Sequence, residues 1–260
     1  MSFPIHSEFL SAGHFASAYR FLPVPGPLQG TVQYIWESRF EAMDHSGREI
    51  AERSFAQLSS SIVFTEGSSF NIHKEGRVCQ ISGPVVIGPH TVPVEYYHNP
   101  ENRLKGIKLH PAAFYGLFKV DAGQVRNEIV RLRELGQDAR SIQDLLQLLS
   151  SGSGAAGFRQ AQVARALNLY LAAVDEAPGL EAIAERLHLT GKSLYRYFIE
   201  ILGLPPKKAF CISRLRLALA AYAGRSKSGR RFSVYDFGYE DRSHFYKELR
   251  QYTSLRSLRI

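Results

Sequence analysis

The segment Asp241-Arg242-Ser243-His244-Phe245-Tyr246-Lys247-Glu248-Leu249-Arg250-Gln251-Tyr252 repeats the pattern of the segment that begins 51 residues earlier, at Thr190. Each segment opens with a residue that favours the N-cap position of a helix. Apolar residues then follow at i, i+4 and i+7: Leu194, Phe198 and Ile201 in the first copy, and Phe245, Leu249 and Tyr252 in the second. This spacing places the apolar side chains on one face of a helix.

A short helix and a tight turn are predicted immediately before each copy. The turns lie at His188-Leu189 and at Gly238-Tyr239. A short helix, a turn and a capped second helix form the helix-turn-helix arrangement, whose second helix places its N-terminal residues against base edges in the major groove. Two copies at one constant spacing therefore predict a DNA-binding region with two helix-turn-helix units.

The net charge of +8 lies entirely in the part of the chain that carries this repeat. Residues 1–159 hold 15 basic and 15 acidic residues, whereas residues 160–260 hold 17 basic and 9 acidic residues. A basic domain beside a neutral one favours a polyanionic partner, because each Lys or Arg placed on a phosphate releases condensed counterions. A solvated basic surface is the alternative reading of the charge alone.

The first half of the chain has a different sequence pattern, in which short runs of β-branched and aromatic residues are separated by Gly, Pro, Asn and Asp. Runs at residues 31–36, 61–64, 83–88 and 106–109 predict strands of an antiparallel sandwich or barrel. Two apolar stripes then predict a closing pair of helices, one with Ile129, Leu132 and Leu135, the other with Ile142, Leu145, Leu146 and Leu149. The overall prediction is an α+β two-domain protein.

The Ser/Gly-rich run at residues 150–157 has the composition of a flexible linker. We therefore expect a β-rich domain over residues 1–150, a linker over 151–159, and an all-helical DNA-binding domain over 160–260. No apolar run approaches the ~20 residues of a membrane span, and the N-terminus lacks the pattern of a secretory signal, so a cytoplasmic protein is expected. Cys79 and Cys211 are expected to be reduced and mostly buried.

The helical half resembles the AraC/XylS family of transcriptional regulators. The resemblance is carried by residues 234–245, by residues 183–187 with residues 194–198 and Gly203, and by residues 214–218 as the connecting helix. It implies two helical subdomains, joined by a long helix, that read adjacent major-groove segments. The chain departs from the family pattern at Val234, Leu249, Ser254 and Ser257, which stand where Ala, Phe, Gly and Pro are usual. These departures predict a second unit that is packed less regularly.

The first half resembles, more faintly, a cupin-like subgroup of sensing domains, through residues 21–28, 34–36 and 106–111. The resemblance implies that this domain binds a small effector, dimerises, or does both. The expected partners are therefore double-stranded DNA, a small-molecule effector, a second copy of the chain and RNA polymerase. Neither a membrane nor a cofactor is expected as a partner.

The residues expected to contact DNA lie on the second helix of each unit. For base contact they are Lys192, Tyr195, Arg196, Arg242, Ser243, His244 and Lys247. Arginine is the side chain best suited to guanine O6 and N7, so Arg196 and Arg242 are the expected carriers of specificity, although contact with phosphate alone stays an alternative for each residue. The expected phosphate contacts, or plain surface residues, are Lys207, Lys208, Arg214 and Arg216.

No catalytic motif is present, and we expect a protein that is not an enzyme. His90, Glu95 and His98 do not have the two-His spacing that metal-binding cupins need, so no metal site is expected. Two alternatives to a DNA-binding regulator stay open: a cupin-type metalloenzyme fused to a DNA-binding tail, and a protein-interaction module that has lost DNA binding.

Overall fold

The computed structural model describes residues 12–38, 40, 49–152, 157–228 and 231–258. Antiparallel strands form two sheets in the first part of the chain, and the second part is helical. We call residues 12–152 the β domain and residues 157–258 the helical domain. The predicted α+β architecture is confirmed, and within the described ranges no helix is long and apolar enough to cross a membrane.

The described part of the β domain contains ten strands. Their bounds are β1 Tyr19–Leu22, β2 Val32–Ser38, β3 Ile50–Ser54, β4 Ser61–Glu66, β5 Phe70–Lys74, β6 Arg77–Ile81, β7 Val85–Ile87, β8 Val94–His98, β9 Arg103–Leu109 and β10 Ile129–Arg131. Six strands form one sheet in the order β1-β2-β9-β4-β7-β10, and four form the other in the order β3-β8-β5-β6. All four runs predicted as strands in the first half fall on strands β2, β4, β7 and β9.

Alternate side chains in the strands of the larger sheet pack into two different apolar layers. In β4, Ile62 and Phe64 pack toward the helices of the β domain, whereas Val63 packs into the space between the two sheets. In β9, Ile107 and Leu109 face the helices and Leu104 faces the other sheet. Successive side chains of a strand point to opposite faces, so one strand serves both layers. The result is a three-layer domain: sheet, sheet and helices.

Nine α-helices lie within the residues that the structure describes. In the β domain they are α1 Ala12–Ala18, α2 Ala113–Phe118, α3 Ala122–Val125 and α4 Ile142–Gly152. In the helical domain they are α5 Phe158–Ala172, α6 Leu180–Arg186, α7 Gly191–Leu202, α8 Pro206–Ser228 and α9 Arg242–Thr253. The predicted linker, residues 151–159, includes the last residues of α4 and the first of α5, and its residues 153–156 lie outside the described residues.

The prediction of a helix that carries Ile129, Leu132 and Leu135, the first of the closing pair, is wrong. Ile129 and Val130 belong to β10, which pairs with β7 at the edge of the sheet, and residues Leu132–Leu135 form a 3-10 helix. A stripe of three apolar residues over seven positions does not separate a helix from a strand followed by a turn. The second member is confirmed as α4, whose Ile142, Leu145 and Leu149 are buried.

The two domains share apolar packing and hydrogen bonds. Phe55, Ala56 and Leu58 of the β domain belong to the same core as the apolar residues of the helical domain. The N–H of Ala56 donates to the carbonyl oxygen of Tyr252 in α9 at 2.9 Å. The guanidinium of Arg126 donates to the carbonyl of Gly203, the residue that ends α7. The C-terminal ends of α7 and α9 are therefore both held by the β domain.

The ends of α7 and α9 adopt the same left-handed conformation with different residues. Gly203 has φ +66° and Ser254, its counterpart 51 residues later, has φ +59°. Glycine adopts this conformation without the steric cost that a Cβ atom brings. At Gly203 a Cβ would also lie 2.4 Å from the backbone nitrogen of Gly123. Ser254 is the position where the AraC/XylS resemblance leads one to expect Gly.

We expect Ser254→Gly to raise the free energy of unfolding by about 0.5–1 kcal/mol, because the left-handed helix end no longer carries a Cβ. Urea unfolding of the full chain measures the change. Gly203→Ser is the matched control and should lower stability, because it adds both the strained φ and an overlap with Gly123. A Ser254→Gly protein less stable than the wild type would contradict the prediction.

Candidate nucleic-acid interface

The first helix-turn-helix unit consists of α6, a turn and α7. Leu187 to Leu189 form the turn, in which His188 has φ +55°. Thr190 caps α7, and its Oγ1 accepts a hydrogen bond from the N–H of Ser193 at 3.1 Å. Leu194, Phe198 and Ile201 are all fully buried. The predicted cap and apolar face of the first unit are confirmed.

The second unit has the same plan with a shorter first element. A single 3-10 turn, Tyr235–Phe237, precedes Gly238, which has φ +67°. Asp241 caps α9, since its Oδ1 accepts a hydrogen bond from the N–H of His244 at 2.7 Å. Both α7 and α9 contain 12 residues, and they begin 51 positions apart. The sequence repeat is thus a repeat of structure.

The packing of α9 is as complete as that of α7. Phe245 and Leu249 are fully buried, and Tyr252 is 5% exposed. Leu249, one of the departures from the family pattern, fills its position in the core. The less regular packing expected of the second unit is not observed around this residue.

The residues predicted to read bases on α7 share one exposed face. Lys192, Tyr195 and Arg196 are exposed, and 46% of Tyr195 is accessible to solvent. They lie at i, i+3 and i+4, so their side chains project from one side of the helix.

On α9 the structure divides the four predicted residues. Arg242, Ser243 and Lys247 are exposed. His244 is half-buried, with 35% of its side chain exposed, and its Nε2 lies 3.3 Å from Nη2 of Arg214 and 3.5 Å from a carboxylate oxygen of Glu248. His244 therefore lies beside the Arg214–Glu248 pair, and the other three residues form the outer face of the helix.

Sequence reasoning missed two residues that extend these exposed faces by one turn. Ile199 on α7 is 37% exposed, and Arg250 at the equivalent position of α9 is exposed. They are again 51 residues apart. Continuing the repeat to the position three residues after Arg196 and after Lys247 would have identified both.

Arg214 corrects the predicted set of phosphate contacts. It is 5% exposed, and its guanidinium donates to Glu248 at 2.5 Å and to the carbonyl of Gly238 at 3.0 Å. The same guanidinium stacks 4.2 Å from the centroid of the Tyr239 ring. A side chain enclosed in this way cannot reach a DNA phosphate. Arg214 instead joins α8 to α9 and to the turn of the second unit.

The phenol of Tyr239 completes this buried network. Its hydroxyl donates to the second carboxylate oxygen of Glu248 at 3.0 Å. Burial, and then the adjacent Glu248 carboxylate, raise the pKa of Tyr239 well above its usual value. Tyr239 therefore stays protonated as a hydrogen-bond donor, and Glu248 has both oxygens partnered in an apolar environment.

The other three predicted phosphate contacts differ in position. Lys207, near the start of α8, is exposed and Lys208 is half-buried, so both stay available as predictions. Arg216 is half-buried and donates toward the carbonyl of Ala56 at 3.4 Å. Arg216 thus faces the β domain, which argues against the predicted phosphate contact.

The three residues considered above as metal ligands have separate partners. His90 approaches Ser54 and Gln57, Glu95 pairs with Arg53, and His98 lies 3.2 Å from Glu52. Among the described residues no group of three His, Cys, Asp or Glu side chains has an arrangement that could hold a metal ion. Cys79 is exposed on β6 and Cys211 is half-buried, so the expectation of buried thiols is wrong for Cys79.

Comparison with known families covers the β domain. A family described as Domain of unknown function (DUF6597) matches residues 19–131. This range runs from the first residue of β1 to the last residue of β10. No curated protein sequence matches the chain.

Comparison with solved structures finds matches of low similarity. ToxT from Vibrio cholerae with a bound unsaturated fatty acid has a TM-score of 0.45 and 9% identity over 92% of this chain and 93% of that one. A 1.65 Å structure of ToxT has a TM-score of 0.43 and 8% identity over 80% and 95%. The AraC-like transcriptional activator CuxR has a TM-score of 0.28 and 14% identity over 82% and 89%. At such values the function has to be argued from the residues themselves.

Arg214→Met tests the corrected role of this arginine. Removing one member of a buried ion pair leaves Glu248 unpaired, so the free energy of unfolding should fall by about 3–5 kcal/mol. Chemical denaturation of the full chain measures the loss. Lys207→Ala, an exposed cation near the start of the same helix, is the control and should change stability by less than about 0.5 kcal/mol. Equal, small effects of both substitutions on the free energy of unfolding would contradict the buried role of Arg214.

Proposed function

We propose that the chain is a sequence-specific DNA-binding transcriptional regulator of the AraC/XylS family. One observation carries the proposal: a repeat in the sequence becomes two capped helices of equal length, each with a buried apolar face and an exposed polar face. Helices of this kind enter the major groove with their N-terminal residues against the bases. The motifs quoted for the family resemblance lie within these two units and the helix between them.

The exposed faces have the chemistry of direct base reading. Arg196 and Arg242 each present a guanidinium that can donate two hydrogen bonds to one guanine. Lys192 and Lys247 each add an ammonium donor, and Ser243 adds a hydroxyl donor. Tyr195 adds a ring that can contact a thymine methyl group or a sugar. Within the proposal, Ile199 and Arg250 extend the same faces, and His244 orients α9 rather than reading a base.

The charge distribution supports the same partner. The helical domain carries the whole positive excess of the chain, which favours binding to a phosphate backbone. Lys207 and Lys208 are the proposed phosphate anchors, since they lie at the start of α8, close in sequence to the end of α7.

In this proposal the β domain senses a small molecule, dimerises, or does both, and RNA polymerase is a further partner of the DNA-bound protein. The domain boundary at residues 151–159 belongs to the proposal as well. Ile142, Leu145 and Leu149 of α4 are buried within their own domain and are not available to a second copy, whereas Leu148 of the same helix is 45% exposed.

Arg196→Ala and Lys207→Ala separate base reading from phosphate anchoring. Loss of a bidentate guanine contact should cost about 1–3 kcal/mol on the preferred site and remove the preference at one base position. Loss of a phosphate contact should weaken binding to all sequences about equally and lower the salt slope by about one unit. Binding to a site selected from random DNA, and to its single-base variants, distinguishes the two.

Arg133→Ala provides the control, because Arg133 is an exposed cation of the β domain. It should leave both affinity and base preference unchanged. An Arg196→Ala protein that loses affinity uniformly would show that Arg196 anchors phosphate. A wild-type chain that selects no DNA sequence would refute the proposed function and favour an interaction module.

A further inference from the structure

The second helix-turn-helix unit has a cleft where the first unit has the helix α6. In the first unit α6 covers Leu180–Arg186, whereas the residues 51 positions later form only the 3-10 turn Tyr235–Phe237. Residues 231–234 belong to neither a helix nor a strand. A cleft of about 300 Å³ lies beside them, and it is lined by residues 231–235 and by Arg242, the first residue of α9.

The segment that lines the cleft is held in place by apolar contacts. Phe232 packs edge-on against Tyr222 of α8, with ring centroids 5.4 Å apart, and Val234 is 3% exposed. Arg231 and Tyr235, which alternate with these two residues, are both exposed. Because Phe232 and Val234 anchor the backbone, the exposed side chains between and beside them are held at the cleft.

The polar groups of the cleft are donors that have no partner in the described part of the chain. Arg231 and Arg242 bring two guanidinium groups, and Ser233 and Tyr235 bring two hydroxyl groups. No acidic side chain lines the cleft. Within the described residues, no hydrogen bond or ion pair involves any of these four side chains. Two guanidinium groups on one cleft repel each other, and an anion bound between them would remove that repulsion.

The place of the cleft in the unit indicates which anion it binds. In helix-turn-helix complexes the element that precedes the recognition helix crosses the phosphate backbone of the DNA. Residues 231–235 take the place of that element in the second unit. The cleft therefore lies at the edge of the groove that α9 enters in the proposed complex.

We propose that this cleft binds one phosphate of the DNA backbone, with Arg231 and the hydroxyl groups of Ser233 and Tyr235 as its donors. Arg242 then lies between this phosphate and the base edges. The inference rests on the proposed function and deepens it, because it assigns a backbone contact to the second unit.

The size and the chemistry of the cleft suit a phosphodiester. A cavity of roughly 150 Å³ holds one benzene molecule, so a cleft of twice that volume admits a phosphate group together with part of its sugar. A guanidinium can donate two parallel hydrogen bonds to a phosphate, and such charge-assisted bonds are short and strong. The hydroxyl groups can donate to the remaining oxygen atoms.

The first unit has no equivalent set of donors. Leu180 stands 51 positions before Arg231 and packs against the core of the helical domain. Ala184 stands 51 positions before Tyr235 and is 1% exposed. The two units therefore hold the backbone by different residues, and this contact belongs to the second unit alone.

Arg231→Ala in the full-length protein tests the cleft on a DNA site selected from a random pool and on its single-base variants. Binding should weaken by about tenfold on every sequence, and the salt slope should fall by about one unit. Tyr235→Phe removes only a hydroxyl group, so it should weaken binding less and leave the salt slope unchanged. Arg242→Ala should instead change the preference at one base position.

Arg256→Ala is the matched control. Arg256 is also an exposed cation of the second unit, but it follows the C-terminal end of α9, about 18 Å from the end that carries Arg242. Its loss should change the affinity for DNA by less than about twofold, since a surface charge at that distance is largely screened.

Neutral methylphosphonates placed singly along the DNA backbone give a second readout. At one position the substitution should weaken binding of the wild type but have little further effect on Arg231→Ala, because both changes remove the same contact. Additive losses at every position, an unchanged affinity of Arg231→Ala, or an altered base preference in that variant would each overturn the proposal.

Isothermal titration with inorganic phosphate in the absence of DNA tests the other source of this chemistry. Saturable binding with a Kd below about 1 mM that Arg231→Ala abolishes would assign the cleft to a free phosphate compound and overturn the proposal. A wild-type chain that binds DNA without sequence preference, with a salt slope that Arg231→Ala still lowers, would support the cleft and refute only the sequence-specific function. A chain that binds no DNA would refute both.

Discussion

The ion pair between Arg214 and Glu248 is the constraint on which the second half of the molecule depends. Both side chains are almost fully removed from water, and charges in that position are tolerated only when each is paired and hydrogen-bonded. Because Arg214 belongs to α8 and Glu248 to α9, their pairing constrains the angle between α8 and α9. The carbonyl of Gly238 and the ring of Tyr239 bring the turn of the unit into the same arrangement.

The two units are then held by different means at their far ends. Gly203, at the end of α7, lies so close to Gly123 that only glycine fits there, and Arg126 binds its carbonyl. Tyr252, near the end of α9, accepts the N–H of Ala56. Both contacts leave the N-terminal ends of α7 and α9 unobstructed, where base-reading residues are expected. The β domain can therefore influence the spacing of the two helices without covering their exposed faces.

The sequence was informative wherever a pattern is local. The caps at Thr190 and Asp241, the apolar faces of α7 and α9, and the exposure of Arg196 and Arg242 all follow from spacing within a dozen residues. Arg214 could not be placed in this way, because its partner lies 34 positions away and nothing in its neighbours signals burial. Ile129 was misassigned for the same reason: its partner strand β7 is distant in sequence, and pairing with it overrides the local apolar stripe.

The short segment from Ser54 to Leu58 shows why the contact between the two domains could not be predicted from the sequence. Its residues, Ser-Phe-Ala-Gln-Leu, follow neither the period of a strand nor that of a helix, so the sequence assigns the segment no special role. In the folded chain its two faces meet different domains, with Gln57 beside Lys108 and Ala56 beside Tyr252. A backbone that bridges two packed cores transmits a displacement because neither core can deform continuously. The contact between the two domains therefore depends on where the segment lies, rather than on any residue that a motif would identify.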